Sequence, residues 1–346
     1  MSKHNKKYFN HQKVILSLLA LLIVSVIISF TMGRYPISFK ELCGITLSKI
    51  AAIFNIKSNV FWSDTVERVV MNIRLPRIFI ACLVGCCLSA AGASYQGVFQ
   101  NSMASPDILG ASSGAAFGAA LAILLDFPGH IITVFAFVSS LLCVLLVVFI
   151  GSKAKGKRVT SLVLSGIMIS SLFSSATSFL KLIADPSDHL PAITYWLMGS
   201  FNGVEKKDVL FVLLPMLLGL IPLLLLRWRI NILTLGDSEA KAMGVNPGRI
   251  RLIIVLASTL ITAASVSVSG MIGWVGLVIP HLARRLVGNN YKHLMPTTML
   301  FGAVFMLLVD NLCRNLFSTE MPIGILTAFI GAPFFIYLIT REDERF

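Results

Sequence analysis

Long uncharged runs recur from one end of this chain to the other. They lie at Val14–Met32, Ile78–Val98, Ile108–Leu125, Ile131–Ile150, Val159–Leu180, Val209–Leu226, Leu252–Pro280 and Met321–Thr340. A shorter run, Met295–Val309, is carried past Asp310 by Leu312 and Cys313. About 20 apolar residues in helical form cross a bilayer. Leu252–Pro280 is too long for one ordinary span and holds Gly270, Gly273 and Gly276. It reads as a span to about Ser269, a glycine turn and a short helix. The expectation is an all-α polytopic membrane protein of about ten transmembrane helices in one domain, residues 1–346. With 56% hydrophobic and 13% charged residues, the chain falls far from a soluble domain, which averages about 25% charged.

The net charge of +13 would suit a nucleic-acid binder if it were clustered on one face. Ten spans with both termini inside instead put 18 Lys and Arg against 6 Asp and Glu in the cytoplasm, and 11 against 10 outside. Positive charge gathers in cytoplasmic segments because it resists translocation, so the excess is a topology signal. The basic tail 1–13 is cytoplasmic on this reading, 34–73 external, and 227–251 the largest cytoplasmic loop. Within the external segment Val66, Val69, Val70 and Ile73 are spaced as an amphipathic helix. The first run has no small-x-small cleavage site and exceeds a signal peptide's apolar region, so it reads as an anchor.

Several patterns suggest chemistry and then fall short of it. Gly151–Lys157 spells G-x-x-x-x-G-K, but a P-loop follows a strand and ends in Ser or Thr, whereas here Arg158 follows between membrane helices. Six cysteines form no CxxC pair, and His281 has no second ligand at metal spacing, so no metal site or cofactor is expected on this chain. Asp310 lies inside a span and has Arg314 four residues on, on the same helical face. Charges in spans are normally paired or functional, which leaves a proton-coupled secondary transporter as the alternative reading. The run from Val159 carries Ser161, Ser165, Ser170, Ser171, Ser174, Ser175 and Ser178, suited either to helix packing or to a polar pathway wall.

The most informative stretch is Arg74–Gly118. Arg74-Leu75-Pro76-Arg77 leads into a span bearing Gln96. Asn101-Ser102-Met103-Ala104-Ser105-Pro106 breaks the chain, and Gly110, Gly114 and Gly118 follow four apart, where a neighbouring backbone can come close. These residues resemble the RLPR, G-x-x-x-Q, N-P-L-A-x-P and L-G-x-x-x-G-A motifs of the FecCD/BtuC-type permeases, the membrane subunits of type II ABC importers for iron-siderophore, haem and vitamin B12. Ser102 and Met103 replace the family's Pro and Leu, which should loosen the turn. Further along, Tyr195-Trp196-Leu197-Met198-Gly199, the run from Leu235 to Gly244, Gly270–Arg284, Glu320-Met321-Pro322-Ile323-Gly324 and Gly331-Ala332-Pro333 are similar to the family's remaining motifs.

That resemblance implies a type II ABC importer permease fold and no enzymatic activity of the chain's own, with ATP and Mg used by a separate ATP-binding cassette subunit. It implies docking of that ATPase on Leu235, Gly236, Asp237, Ala240, Met243 and Gly244, a short helix that Asp237 is placed to cap and Gly244 to end. It places Arg74, Arg77 and Arg314 at the external mouth, pairing with acidic residues of a substrate-binding protein. Gln96, Asn101, Met103, Val159 and Thr160 are expected along the pathway and its cytoplasmic gate. A second permease copy or a sister permease completes the dimer in membrane lipid, and no nucleic acid is involved. The location implied is the plasma membrane of a bacterium or archaeon. Ferric siderophore leads the implied substrates, followed by haem, cobalamin and molybdate.

Overall fold

The computed structural model describes residues 10–33, 35–53, 61–154, 158–316 and 319–341. Lys3, Lys6 and Lys7 of the basic tail, and Gly156 and Lys157 of the near-P-loop, lie outside them. Every regular element among the described residues is helical. The chain runs through α1 (His11–Thr31), α2 (Phe39–Ile53), α3 (Asp64–Arg68), α4 (Leu75–Val98), α5 (Ala111–Leu124), α6 (Gly129–Lys153), α7 (Arg158–Ile183) and α8 (His189–Leu197). It continues through α9 (Lys206–Leu225), α10 (Arg227–Leu233), α11 (Asp237–Ala242), α12 (Pro247–Ser269), α13 (Val275–Val287), α14 (Tyr291–Asn315) and α15 (Ile323–Arg341).

Seven helices are long and apolar enough to cross a membrane: α1, α3–α4 as one rod from Asp64 to Val98, α6, α7, α9, α12 and α14. Ala111–Leu124 and Ile323–Tyr337 are shorter apolar helices. The break expected inside the 252–280 run is present. The helix α12 ends at Ser269, Gly270 turns at φ 67°, and α13 begins at Val275. The helix α13, 13 residues long and carrying Arg284 and Arg285, is the short helix expected after that turn, and beside the long and shorter apolar helices it agrees with the all-α fold of about ten membrane helices.

The second span begins earlier than its apolar run. Instead of an interfacial helix followed by a separate span, α3 passes into α4 through a π-helical segment, Val69–Arg74. Pro76 has no N–H to give to the preceding turn, and the wider π turn absorbs the misfit. The Leu75 N–H reaches the Val70 carbonyl five residues back.

At the centre of the bundle stands α4, with 78% of its apolar stretch buried, flanked by α12 and α14 at 72% and 61%. Small residues permit this. A Cβ on Gly92 would lie 1.8 Å from the Gly276 carbonyl oxygen, and one on Gly85 would lie 2.2 Å from that of Gly302, so α4 meets α13 and α14 backbone to backbone. Where lipid tails are as apolar as leucine, such close packing is what holds helices together. The seam expected at 114 and 118 packs the same way. Gly114 lies against Ser139 and Cys143 of α6, and Gly118 against the Phe135 carbonyl. Gly110 precedes α5 at φ 79°. At the margin, α1 and α7 have only 22% and 17% of their apolar stretches buried.

Candidate functional site

Three constellations carry the polar chemistry. One lies where the start of α4 meets the end of α14. Arg77 Nε donates to Asp310 Oδ1 at 3.0 Å, and its Nη1 donates to both Glu320 oxygens at 3.1–3.2 Å. Arg314 Nε sits 3.1 Å from Asp310 Oδ2. Arg314 also donates to Asn311, whose Nδ2 donates to Ser29 Oγ of α1 at 2.7 Å. The guanidinium of Arg74 donates to the carbonyls of Phe30 and Tyr35.

Thus Arg74, Arg77 and Arg314, expected at an exposed mouth, are only 4%, 6% and 7% exposed. Their charges meet internal partners: Asp310, Glu320 and the carbonyls of Phe30 and Tyr35. The expected pairing of Asp310 with Arg314 is present, and Arg77 joins it. A carboxylate with no exposed surface, held between two guanidinium groups, has the setting of a buried counter-ion.

The second constellation is the loop from α10 to α12. Gly236 opens α11 at φ 124°. Asp237 is not the cap. Its carboxylate lies 2.7 Å from Arg251 Nη2 of α12, because Arg251 is buried and Asp237 supplies the counter-charge. The other end closes as a Schellman turn. The Gly244 N–H donates to the Lys241 carbonyl at 3.0 Å and the Val245 N–H to that of Ala240 at 2.9 Å, with Gly244 at φ 75°. Ala240 of α11 is fully buried, while Leu235 and Met243 at its two ends stand 60% and 59% exposed. The unit is a rigid short helix that presents two apolar side chains outward.

The third is the break after α4 and its neighbourhood. Gln96 does not face an open pathway. It is buried, donating to the Leu277 carbonyl at 3.4 Å and accepting from Arg284 Nη1 at 2.5 Å. Tyr291 completes this knot by donating to the Ala93 carbonyl at 2.8 Å. Asn101 is exposed, and its Oδ1 accepts the Met103 N–H at 2.8 Å. The side chain thereby closes the turn, which is not left loose by the missing proline. Met103 is 47% exposed, Thr160 exposed and Val159 half-buried.

On α7, Ser161 and Ser165 pack inward, whereas Ser171, Ser174, Ser175 and Ser178 are exposed. Sequence reasoning gave no role to Arg251 or Asp107, and it named Glu320 in a motif without its pairing to Arg77. A lone basic residue beside a long apolar run signals Arg251, and a carboxylate in the polar break between two spans signals Asp107.

A model of the FecCD transport family matches residues 21–341. The chain belongs to the FecCD transport family. Among its FecCD relatives, the molybdate import system permease protein MolB of Haemophilus influenzae is 40% identical over 96% of each chain. The hemin transport system permease protein HmuU of Yersinia pestis is 36% identical over 95% of each. A solved inward-facing structure described as of a metal-chelate type ABC transporter superposes with a TM-score of 0.84 at 39% identity, covering 95% of this chain and 99% of the other. The FecCD chain therefore has the all-helical type II permease fold expected from its motifs.

Proposed function

We propose that this chain is the permease subunit of an ATP-driven importer that passes a metal chelate into the cell. Two copies, or this chain and a sister permease, enclose the pathway. A substrate-binding protein delivers at the external end, and a separate ATPase works at the end bearing α11. The observation that carries the reading is the α10–α12 unit. Its helix is clamped by the Asp237–Arg251 pair and closed at Gly244, and it holds Leu235 and Met243 in the open. A rigid helix with unpartnered apolar side chains suits a groove on another protein. Movement of that partner would pass through α11 to α12, and α12 packs on the central α4.

In this reading the end bearing α11, Asn101 and Met103 is cytoplasmic, and Asn101, Met103, Val159 and Thr160 form the inner gate. The exposed hydroxyls of α7 form a pathway wall. Arg74, Arg77 and Arg314 shape the external mouth from beneath it by fixing α1, α4 and α14 to one another. Ferric siderophore is the substrate we favour within the metal-chelate class.

Leu235→Asp/Met243→Asp tests the reading. Both side chains are exposed, so stability should move by no more than ~0.5 kcal/mol. A co-expressed cognate ATPase should co-purify with the parent chain and be lost from the double variant, while the melting temperature holds. Unchanged co-purification would remove α11 as the docking helix.

A further inference from the structure

The re-entrant turn before α5 brings a carboxylate to the middle of the membrane. Its depth follows from the helices beside it. A Cβ on Gly110 would lie 2.4 Å from Ser170 Oγ and 3.1 Å from Cys143 Sγ, and those residues stand near the midpoints of α7 and α6, helices of 26 and 25 residues. A Cβ on Gly166 would lie 2.2 Å from the Ile108 carbonyl oxygen, so the turn meets α7 between Gly166 and Ser170, about 12–18 Å along the helix from Arg158 at 1.5 Å per residue. The helix that follows has 14 residues, about 21 Å at 1.5 Å each, short of a hydrocarbon core of about 30 Å. Asp107 in this turn is nevertheless exposed on the single chain and accepts a hydrogen bond from Ser112 Oγ.

Irregular backbone and an ionisable side chain at this depth are tolerated only inside protein or beside water. The adjoining surface is polar as well. Ser174 Oγ donates to Ser113 Oγ at 3.4 Å, and Ser171, Ser175 and Ser178 continue the strip along α7. The two elements that flank it bring no base of their own, since the sequence has no Lys or Arg between Arg158 and Lys181 or between Asp107 and Asp126. We infer that Asp107 faces the water-filled pathway at mid-membrane as a charge filter, one per copy, that admits cationic or neutral chelates and rejects oxyanions. This rests on the importer reading for the pathway's use, and it separates this chain's substrate class from the molybdate named for one of its relatives.

The test reads the local field directly. Ser174→Cys is placed in the full-length chain, in proteoliposomes, and its modification rates by a cationic and an anionic methanethiosulfonate of equal size are compared, with the parent chain as blank. With Asp107 present the cationic reagent should react about tenfold faster, as expected of a unit charge roughly 12 Å away, eight helical residues along α7, in a partly wet site. In Asp107→Asn the ratio should fall close to one. No reaction with either reagent would show a dry face and overturn the proposal, as would a ratio that Asp107→Asn leaves unchanged. Both outcomes are independent of ATPase co-purification, so failure here and failure of the importer reading are told apart. A second arm follows ATP-dependent uptake by the assembled importer. Uptake of a cationic ferric trihydroxamate with exclusion of molybdate is expected, and molybdate uptake by the parent would overturn the substrate inference.

Discussion

Asp310 shows at the scale of one residue how much of a membrane protein's charge is structural. It is fully buried, with Arg77 Nη2 at 2.9 Å and Arg314 Nε at 3.1 Å. Removing its charge leaves Arg314 without its carboxylate and Arg77 with Glu320 alone, both guanidinium groups being nearly buried. Breaking a buried pair by deleting one partner costs about 3–5 kcal/mol. Asp310→Asn should therefore lower the melting temperature in detergent and the yield of folded protein, with no new pH dependence in any remaining uptake. A stable, fully expressed variant whose uptake no longer responded to a proton gradient would restore the coupling role. The pairing with Arg314 was legible from spacing alone, since i and i+4 share a helical face. The pairing with Arg77, 233 residues away, was not. No local pattern tells which of several basic residues a fold will bring to a buried acid, and so three arginines read as surface features are interior ones.

The element scale is where α8 stands out, because it joins three parts of the molecule through its C-terminal end. The Ser200 N–H donates to the Ser269 carbonyl at 2.8 Å, the Ile323 N–H to that of Gly199 at 2.8 Å, and the Gly324 N–H to that of Met198 at 3.1 Å. The ends of α12 and α15 are thus tied to α8. Its first residue, His189, lies 2.9 Å from Asp126 in the α5–α6 turn. The hydrogen bond to Asp126 is the main cause that raises the His189 pKa above its ordinary 6.5, helped by the field of Asp126, Asp185 and Asp188 and opposed by desolvation. A group raised in the folded state stabilises it fully below the unfolded pKa, and that contribution is lost as pH rises through the folded pKa. Protection factors of the α8 amides, which remove the base-catalysed rise of intrinsic exchange, should accordingly fall as pH rises from below 6.5 to above the raised value, and His189→Gln should flatten the profile. Protection factors that stay constant with pH in the parent would show that the pair does not latch α8. The aromatic motif at 195–199 announced this element in the sequence. Its role as a three-way junction was not legible, since it depends on backbone hydrogen bonds that any sequence of suitable turn geometry could make.

For the whole molecule, the distribution of burial decides which faces meet lipid. The sequence reports that α1 and α7 are both apolar enough to cross, but it is silent on their surroundings. Both turn out marginal in the single chain, yet they are marginal in different ways. The exposed residues of α1 include Leu16, Leu19, Ile23, Val24 and Ile27, a surface suited to lipid tails. Those of α7 alternate Leu164, Ile167, Met168 and Leu172 with exposed serines and adjoin a mid-membrane carboxylate. A strip of hydroxyls beside a charge has no reason to face hydrocarbon, which is what the proposed pathway shared with a second permease requires. An arginine at the centre of a lipid-facing helix costs about 2.5–3.5 kcal/mol to insert. Ile23→Arg, 54% exposed and near the middle of α1, should cut the amount of full-length protein in the membrane. Ser171→Arg, at the midpoint of α7, should be tolerated because water or a neighbouring chain can solvate it. The check is quantitative blotting of membrane fractions, with Gly129→Ala as the neutral control because nothing lies within 4 Å of that position. Equal losses from both arginines would place α7 in lipid, and with it would go the assignment of the serine face to a pathway shared by two chains.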